Sequence, residues 1–472
     1  MTFPNVLVLN YLKQTKQIAP EIQMKAENYI ALGYQRLLTF ETAGGGFSLY
    51  GRPPASVMLT AKALLEFGDM AKVYPVDPAL INRTRQWLLA QQKPDGTWDA
   101  AYAMDRPASG ATDPLPLTAY VTWAILESGS KDEARLARAI AYIKENAARA
   151  SDGYTLAMVA NALVAYDAND PATRDALARL DALKVVDGDG AYYPTRIGSF
   201  TGAYGVYGNI ETTGLAAYAF LRAKAYPESA QRALNYLVQK KDPHGTWGST
   251  QATILALRAL IQSVIEAGEV AGDATVRVRL NDRDARSLVI SKENAGVVQI
   301  ITFDDIAPGA NRIAFQVEGK GSLAYQVSAH YYLPWQYVPP IPEQEKLVDI
   351  QVRYDRTTLA VNDEVRVTAT VRLTKEGSAR MTIVDLGIPP GFTVLTEDLD
   401  TVVRAKTIAR YELTARQIII YLEEFDSKKP ITFTYRLKAK FPLRAQTPSS
   451  TTYDYYNPGV TATQAPLLLT VR

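Results

Sequence analysis

Five glycine-aromatic turns recur along the first 268 residues, and they limit what this chain can fold into more than any other feature. They are Gly46-Phe47, Gly96-Thr97-Trp98, Gly153-Tyr154, Gly190-Ala191-Tyr192 and Gly245-Thr246-Trp247. Each glycine suits a tight turn, and each aromatic is expected to tuck back inward. Between the turns apolar residues recur at three- and four-residue spacing, the period of a helix. Predicted helices at 54–67, 115–127, 156–166, 211–221 and 250–261 are rich in Ala, Leu and small residues. Others at 79–91, 132–146, 172–183 and 228–239 keep one polar face. A helix apolar nearly all round is buried and one with a polar face lies outside. With 6–13 and 22–40 as an opening pair, the count approaches six inner and six outer helices. The reading is an α/α toroid of about six helix pairs over residues 1–268.

Several unrelated activities use such a toroid, so the side chains must choose among them. A cysteine count of 0 excludes disulfides, thiolate metal sites, cysteine nucleophiles and any Cys–Gln thioester within these residues. It also removes the Asp-Cys-His zinc site of a prenyltransferase. His244 and His330 are lone and far apart, so no metal and no cofactor is expected, and each reads as packing or surface. A terpene cyclase needs a dense aspartate run; Asp187-Gly188-Asp189-Gly190 is the nearest, and its glycines favour a structural turn. A glycosidase needs two opposed carboxylates roughly 5–9.5 Å apart. Asp95, Asp99, Asp105, Asp113, Asp189 and Glu211 fall near the helix-turn end where a cleft would open, which keeps a carbohydrate-active toroid as an alternative. Asp105, Asp113 and Glu211 read more simply as turn and cap residues.

The 51 basic and 49 acidic residues leave a net charge of +2, without the basic excess of a nucleic-acid protein. No apolar run reaches the ~18 residues of a membrane span. The N-terminal Val-Leu-Val-Leu lacks the basic region and cleavage site of a signal peptide.

Beyond residue 268 the pattern turns to alternation. Residues 274–280, 296–303, 312–318 and 322–331 read as strands of a β domain over 269–335. A Pro-rich linker occupies 336–345. Residues 346–472 read as a β-sandwich, with strands at 348–354, 364–373, 381–386, 410–413, 417–422, 431–439 and 467–471. The chain is therefore multidomain, an α/α toroid followed by all-β domains.

Specific segments carry a family resemblance. FPNVLVLNYLK at 3–13, ALGYQR at 31–36, GGFSLYG at 45–51, QQKPDGTW at 91–98 and LTAY at 117–120 resemble the thioester-type helical domain of bacterial α2-macroglobulin-like proteins. IVDLGIPPGF at 383–392 and YDYYNP at 453–458 resemble the family's receptor-binding domain, and 269–335 resembles the second half of its CUB domain. The resemblance implies a broad endopeptidase inhibitor, a protease trap, of the cell envelope or extracellular space. Its partners would be proteases, met through the full-length parent, and upstream macroglobulin domains. In that family a Cys-x-Glu-Gln thioester sits a few residues before Phe-Pro-Asn, so the motif is expected upstream of Met1. Phe3, Pro4 and Asn5 would then border it. A downstream histidine that promotes transfer to hydroxyls in complement members falls at Met104 or Asp105, where this chain has none. The helix that presents receptor-binding lysines in vertebrate members is the lysine-free 396–400 here, expected to be a solvated helix closing the sandwich. A thioester-less docking member of the family is the other alternative.

Overall fold

A computed structural model describes the chain except residues 1, 15–19, 130–132, 244, 268–272, 282–285, 292–293, 295–298, 305, 320–322, 324 and 340–346. It divides into two compact units, Met1–Val327 and Ser328–Arg472. His244 and residues 340–345 of the expected linker lie outside the described residues.

The first unit is built on α1 (Thr2–Gln14), α2 (Pro20–Leu38), α3 (Val57–Met70), α4 (Pro78–Ala90), α5 (Pro114–Glu127), α6 (Glu133–Ala147), α7 (Gly153–Asp167) and α8 (Pro171–Asp181). After a hairpin of β1 (Val185–Asp187) and β2 (Gly190–Tyr192) come α9 (Gly205–Arg222), α10 (Pro227–Gln239) and α11 (Thr250–Ala267). The odd-numbered helices contact one another in the closed order α1, α3, α5, α7, α9, α11 and back to α1. Each even-numbered helix lies against the odd one before it. Among the described residues the toroid therefore has six inner and five outer helices, one outer helix short of the expected set. Burial follows the composition: α5 buries every residue from Leu115 to Ile125, whereas α8 buries only Thr173, Ala176, Leu177 and Leu180.

Helix starts were written into the sequence as Asp-Pro pairs. Asp77, Asp113 and Asp170 accept from the backbone N–H of Ala79, Leu115 and Ala172 at 2.9, 3.0 and 2.8 Å. Each following proline sits where a helix has an orphan N–H to give up. Asp113 is thus a cap, as expected. Asp187-Gly188-Asp189-Gly190 is the tip of the β1–β2 hairpin, whose Asp187 and Gly190 face each other, in keeping with its structural reading.

The aromatic turns repeat a bonding pattern as well as a sequence. Trp98 donates its indole N–H to the Leu88 carbonyl at 2.7 Å, and Trp247 donates to Leu237 at 2.6 Å. Each indole thereby ties its turn to the end of the preceding outer helix. The backbone N–H groups of Phe47, Tyr193 and Trp247 donate to Thr60, Thr213 and Thr253 hydroxyls on the next inner helix. Gly96 holds φ +86°, and a methyl there would lie 2.6 Å from the Arg138 carbonyl, so only glycine fits between turn and α6. Gly153-Tyr154 departs from the expectation. It is the first turn of α7 itself, because Asp152 caps the helix through the Tyr154 N–H at 2.9 Å. In the fourth turn the fully buried ring is Tyr193, not Tyr192.

Trp98→Ala should destabilise the ring by about 3–5 kcal/mol through the cavity it leaves. Trp98→Phe should cost less, losing mainly a hydrogen bond worth about 1 kcal/mol. Urea unfolding measures both. A loss within about 0.5 kcal/mol for the alanine variant, typical of surface changes, would show that the turn is not an anchor.

The first unit ends in an antiparallel sheet of β3 (Ala274–Leu280), β4 (Arg286–Ile290) and β5 (Ile313–Gly319), ordered β4-β3-β5. β3 falls where the alternation placed it, and β5 within one residue. β4 was not expected. The strands expected at 296–303 and 322–331 are absent among the described residues there, namely 299–303, 323 and 325–331. Their alternating pattern has no ladder to join. Tyr325 packs its ring on Phe315 of β5 at 4.3 Å.

In the second unit the strands are β6 (Val348–Tyr354), β7 (Thr358–Leu359), β8 (Glu364–Leu373), β9 (Ser378–Gly387), β10 (Phe392–Val394), β11 (Arg410–Leu413), β12 (Gln417–Asp426), β13 (Ile431–Ala439), β14 (Leu443–Gln446), β15 (Ser450–Asp454), β16 (Asn457–Gln464) and β17 (Leu468–Val471). They form sheets ordered β10-β13-β8-β6 and β11-β12-β9-β15-β16, with a smaller β14-β17-β7 group. Alternate residues of β8, β12 and β13, among them Val365, Val367, Ile418, Ile420, Phe433 and Tyr435, fill one core. YDYYNP forms the β15–β16 turn, held by Asp454, which accepts from the N–H groups of Tyr456 and Asn457 at 2.9 and 3.0 Å. The lysine-free segment is helix α12 (Thr396–Arg404), closing the sandwich with buried Leu399 and the Asp398–Arg436 pair at 2.9 Å.

Candidate functional site

The residues expected near reactive chemistry come from two elements of the first unit. Phe3, Pro4 and Asn5 form the first turn of α1, with Phe3 buried and the other two part-exposed. Met104 and Asp105 lie in a short turn at 103–105. Met104 packs against the ring core. Asp105 is fully buried and accepts from the Ser56 hydroxyl at 2.6 Å and the Met58 and Tyr102 N–H groups at 3.0 and 3.1 Å. Burial pushes its carboxyl up against these donors. It helps cap α3. Phe3 borders the same cavity as Lys62 and Leu65 of α3. Its ring lies 5.6 Å beneath the Arg258 guanidinium, which bonds Asp69.

The structure brings together a set of charges inside the ring. Arg258 of α11 lies over the rings of Phe3 in α1, Trp123 in α5 and Tyr218 in α9, at 5.6, 5.5 and 5.4 Å, while pairing with Asp69 in α3. One side chain thus touches four of the other five inner helices. Burial alone would raise the Asp69 carboxyl, but Arg258 and Lys72 together hold it below its usual range. Lys62, four residues before Glu66 on α3, lies within electrostatic reach of Glu66 and Glu211. Burial lowers the Lys62 ammonium, and it raises Glu66 and Glu211 to about 7 each. Phe3, Lys62, Tyr120, Trp123, Gln251 and Arg258 border a cavity of about 10 Å³, room for roughly one water.

Glu211 corrects the sequence reading. It is neither turn nor cap: α9 begins six residues before it, and it is fully buried in mid-helix. Nothing in the sequence pattern links Lys62, Glu66, Asp69 and Arg258, because an isolated charge in an apolar helix is compatible with the helical period. The available signal was a charge on an inner helix with no polar face to carry it. Glu66 and Glu211 are both buried acids. His330 is exposed, a surface residue. Among the described residues no group of three His, Cys, Asp or Glu side chains could hold a metal.

The ring and the sandwich match two family descriptions in order: the A-macroglobulin TED domain over residues 1–262 and the A-macroglobulin receptor binding domain over residues 377–466. The chain belongs to the α-macroglobulin family. It is 22% identical to ovostatin of Gallus gallus, over 96% of this chain and 31% of that protein. It is 23% identical to thioester-containing protein 1 allele R1 of Anopheles gambiae, over 97% of this chain and 33% of that protein. It thus spans about a third of the length of these relatives. The same fold is present in native α2-macroglobulin of Escherichia coli, solved from domain MG7 to the C-terminus, with TM-score 0.66, 18% identity, and 95% of this chain matched to 68% of that one. The match identifies a C-terminal macroglobulin region: a TED-type toroid followed by β domains. No helix of the described residues is long and apolar enough to cross a membrane.

Proposed function

We propose that this chain supplies the thioester-type ring and the receptor-binding-type sandwich of a broad protease trap of the bacterial envelope, and that it is not itself an enzyme. The carrying observation is that two α-macroglobulin domain types stand in order on a chain with 0 cysteines. A thioester is a cysteine sulfur acylated by a glutamine side chain, so covalent capture cannot arise within these residues. The Cys-x-Glu-Gln motif, the bait segment and the target-facing domains belong to the remainder of such a trap, with Phe3, Pro4 and Asn5 bordering the motif. Relatives about three times as long support that division. In this reading β3, β4 and β5 are half of a CUB-type domain, 336–345 is a linker, and partners are proteases and further macroglobulin domains. The lysine-free α12 offers no reason to carry over receptor binding.

Incubation of the chain with methylamine, read by intact mass, should show no adduct, and the chain should slow no serine protease. A methylamine mass increase would sink this reading. So would hydrolysis of an oligosaccharide that is lost on neutralising Asp105, Asp113 and Glu211 together, since that places the carbohydrate-active alternative first.

A further inference from the structure

Residues 195–204, between β2 and α9, enter the ring's interior where a connection would normally stay on the surface. Ser199, Phe200, Thr201 and Ala203 are all buried. The Phe200 ring inserts between Tyr120 of α5 and Tyr154 of α7, at 5.8 and 5.7 Å. Its backbone N–H donates to the Tyr154 hydroxyl at 3.2 Å. The Thr201 hydroxyl donates to Glu211 at 3.0 Å, and the Ser199 hydroxyl lies 2.9 Å from that of Thr201. At the rim the Arg196 N–H donates to Asp152, and Ala108 and Ser109 donate to the Ser199 and Ile197 carbonyls. Gly198, at φ +69°, lets the backbone pass Ala108, where a methyl would meet another at 2.5 Å.

We propose that residues 195–204 form a plug in the mouth of the helical ring, seated by Phe200 and latched by the Thr201–Glu211 hydrogen bond, and that ionisation of Glu211 favours its release. Every charged or titratable group facing Glu211 bears on this. From α3 comes Lys62, which favours its ionised form and is itself within reach of Glu66. From α5 and α7 come the Tyr120 and Tyr154 hydroxyls, and Arg258 of α11 acts on Tyr120. Burial dominates: it raises Glu211 from 4.5 to about 7, against the Ser199 and Thr201 hydroxyls and Lys62. With the plug seated the carboxyl keeps its proton up to about pH 7; with the plug open and the carboxyl wet, it loses it near its ordinary value. Opening therefore releases a proton between those limits and grows with pH by at most about tenfold per unit, levelling above about pH 7. An open plug exposes the aromatic mouth of Tyr120, Tyr154 and Phe200. The proposal does not depend on the protease-trap reading.

Amide exchange of the peptide covering 198–203, compared between the wild-type chain and Glu211→Gln at each pH, tests it, because the ratio cancels intrinsic base catalysis. The ratio should rise at least tenfold from pH 5 to pH 7.5 and then level. A flat ratio overturns the proposal, as does an equal rise in α5 and α7, which would mean that the whole ring loosens. Glu66→Gln should keep the wild-type profile; if it flattens the profile instead, the titrating group is on α3 and the proposal fails. Should Glu211→Gln not fold, Thr201→Val leaves the acid in place and removes the latch. Exchange over 198–203 should then exceed wild type at every pH, and unchanged exchange overturns the proposal.

Discussion

Arg258→Met is expected to destabilise the helical ring by about 3–5 kcal/mol, the usual cost of breaking a buried ion pair from one side. The methionine fills much of the volume but leaves the buried Asp69 carboxylate with only Lys72, at 2.7 Å from a half-exposed ammonium. Three rings, on α1, α5 and α9, lose the cation they share. Arg258→Lys should not restore the loss, because a compact ammonium cannot lie over three rings and bond a carboxylate at once. The pH dependence has a definite sign. Asp69 is held below its ordinary range, so its contribution is present at neutral pH and is lost as acid protonates it. In Arg258→Met that acid-side loss should disappear, and protonation should relieve the ring instead. Asp69→Asn combined with Arg258→Met should cost less than the two changes summed, since each removes the same interaction. Denaturant unfolding of the four proteins decides it. A loss below about 1 kcal/mol for Arg258→Met would mean that the ring closes by packing alone.

The three-stranded sheet β4-β3-β5 should exchange its amide hydrogens well ahead of the ring, and the chain should self-associate through it. Ala274, Val276, Val278 and Leu280 bury one face of β3, but β5 is exposed over six of its seven residues. Ile300 is 81% accessible, and Val289, Phe315 and Val317 are also exposed. Each such side chain forgoes about 1.5–3 kcal/mol of burial, and a few together match the net stability of a whole domain, about 5–15 kcal/mol. The outer edges of β4 and β5 pair with no further strand among the described residues, and unpaired edges are templates for association. Hydrogen exchange across 274–319, with sedimentation over a concentration series, reads both effects. Protection equal to that of α5 and α7 in a monomer at all concentrations would show the sheet to be complete as it stands, and would remove the half-domain reading.

Local physics in the sequence settled much of this molecule. The Asp-Pro pairs at 77, 113 and 170 fixed helix starts, because a carboxylate cap and a missing N–H act within one turn. The Gly-aromatic turns fixed the pairing of inner and outer helices, because a small core ring between helices needs one large side chain at each return. Alternation fixed β3, β6, β8 and β13 to within a residue. Alternation failed at 299–303 and 325–331, where the period is right but a strand exists only if a neighbour bonds it, and the neighbour is a tertiary fact. The site shows the same divide. Sequence could say that cysteine chemistry is absent, since that needs only a count. It could not tell that Asp105 is buried as a cap of α3 while Phe3 borders the ring's inner cavity. Nor could it see that Lys62, Glu66, Asp69, Glu211 and Arg258 meet. These five sit on α3, α9 and α11, up to 196 positions apart between Lys62 and Arg258. Closing six helices into a ring is what brings them into one low-dielectric interior, where burial and neighbouring charges together set their charge.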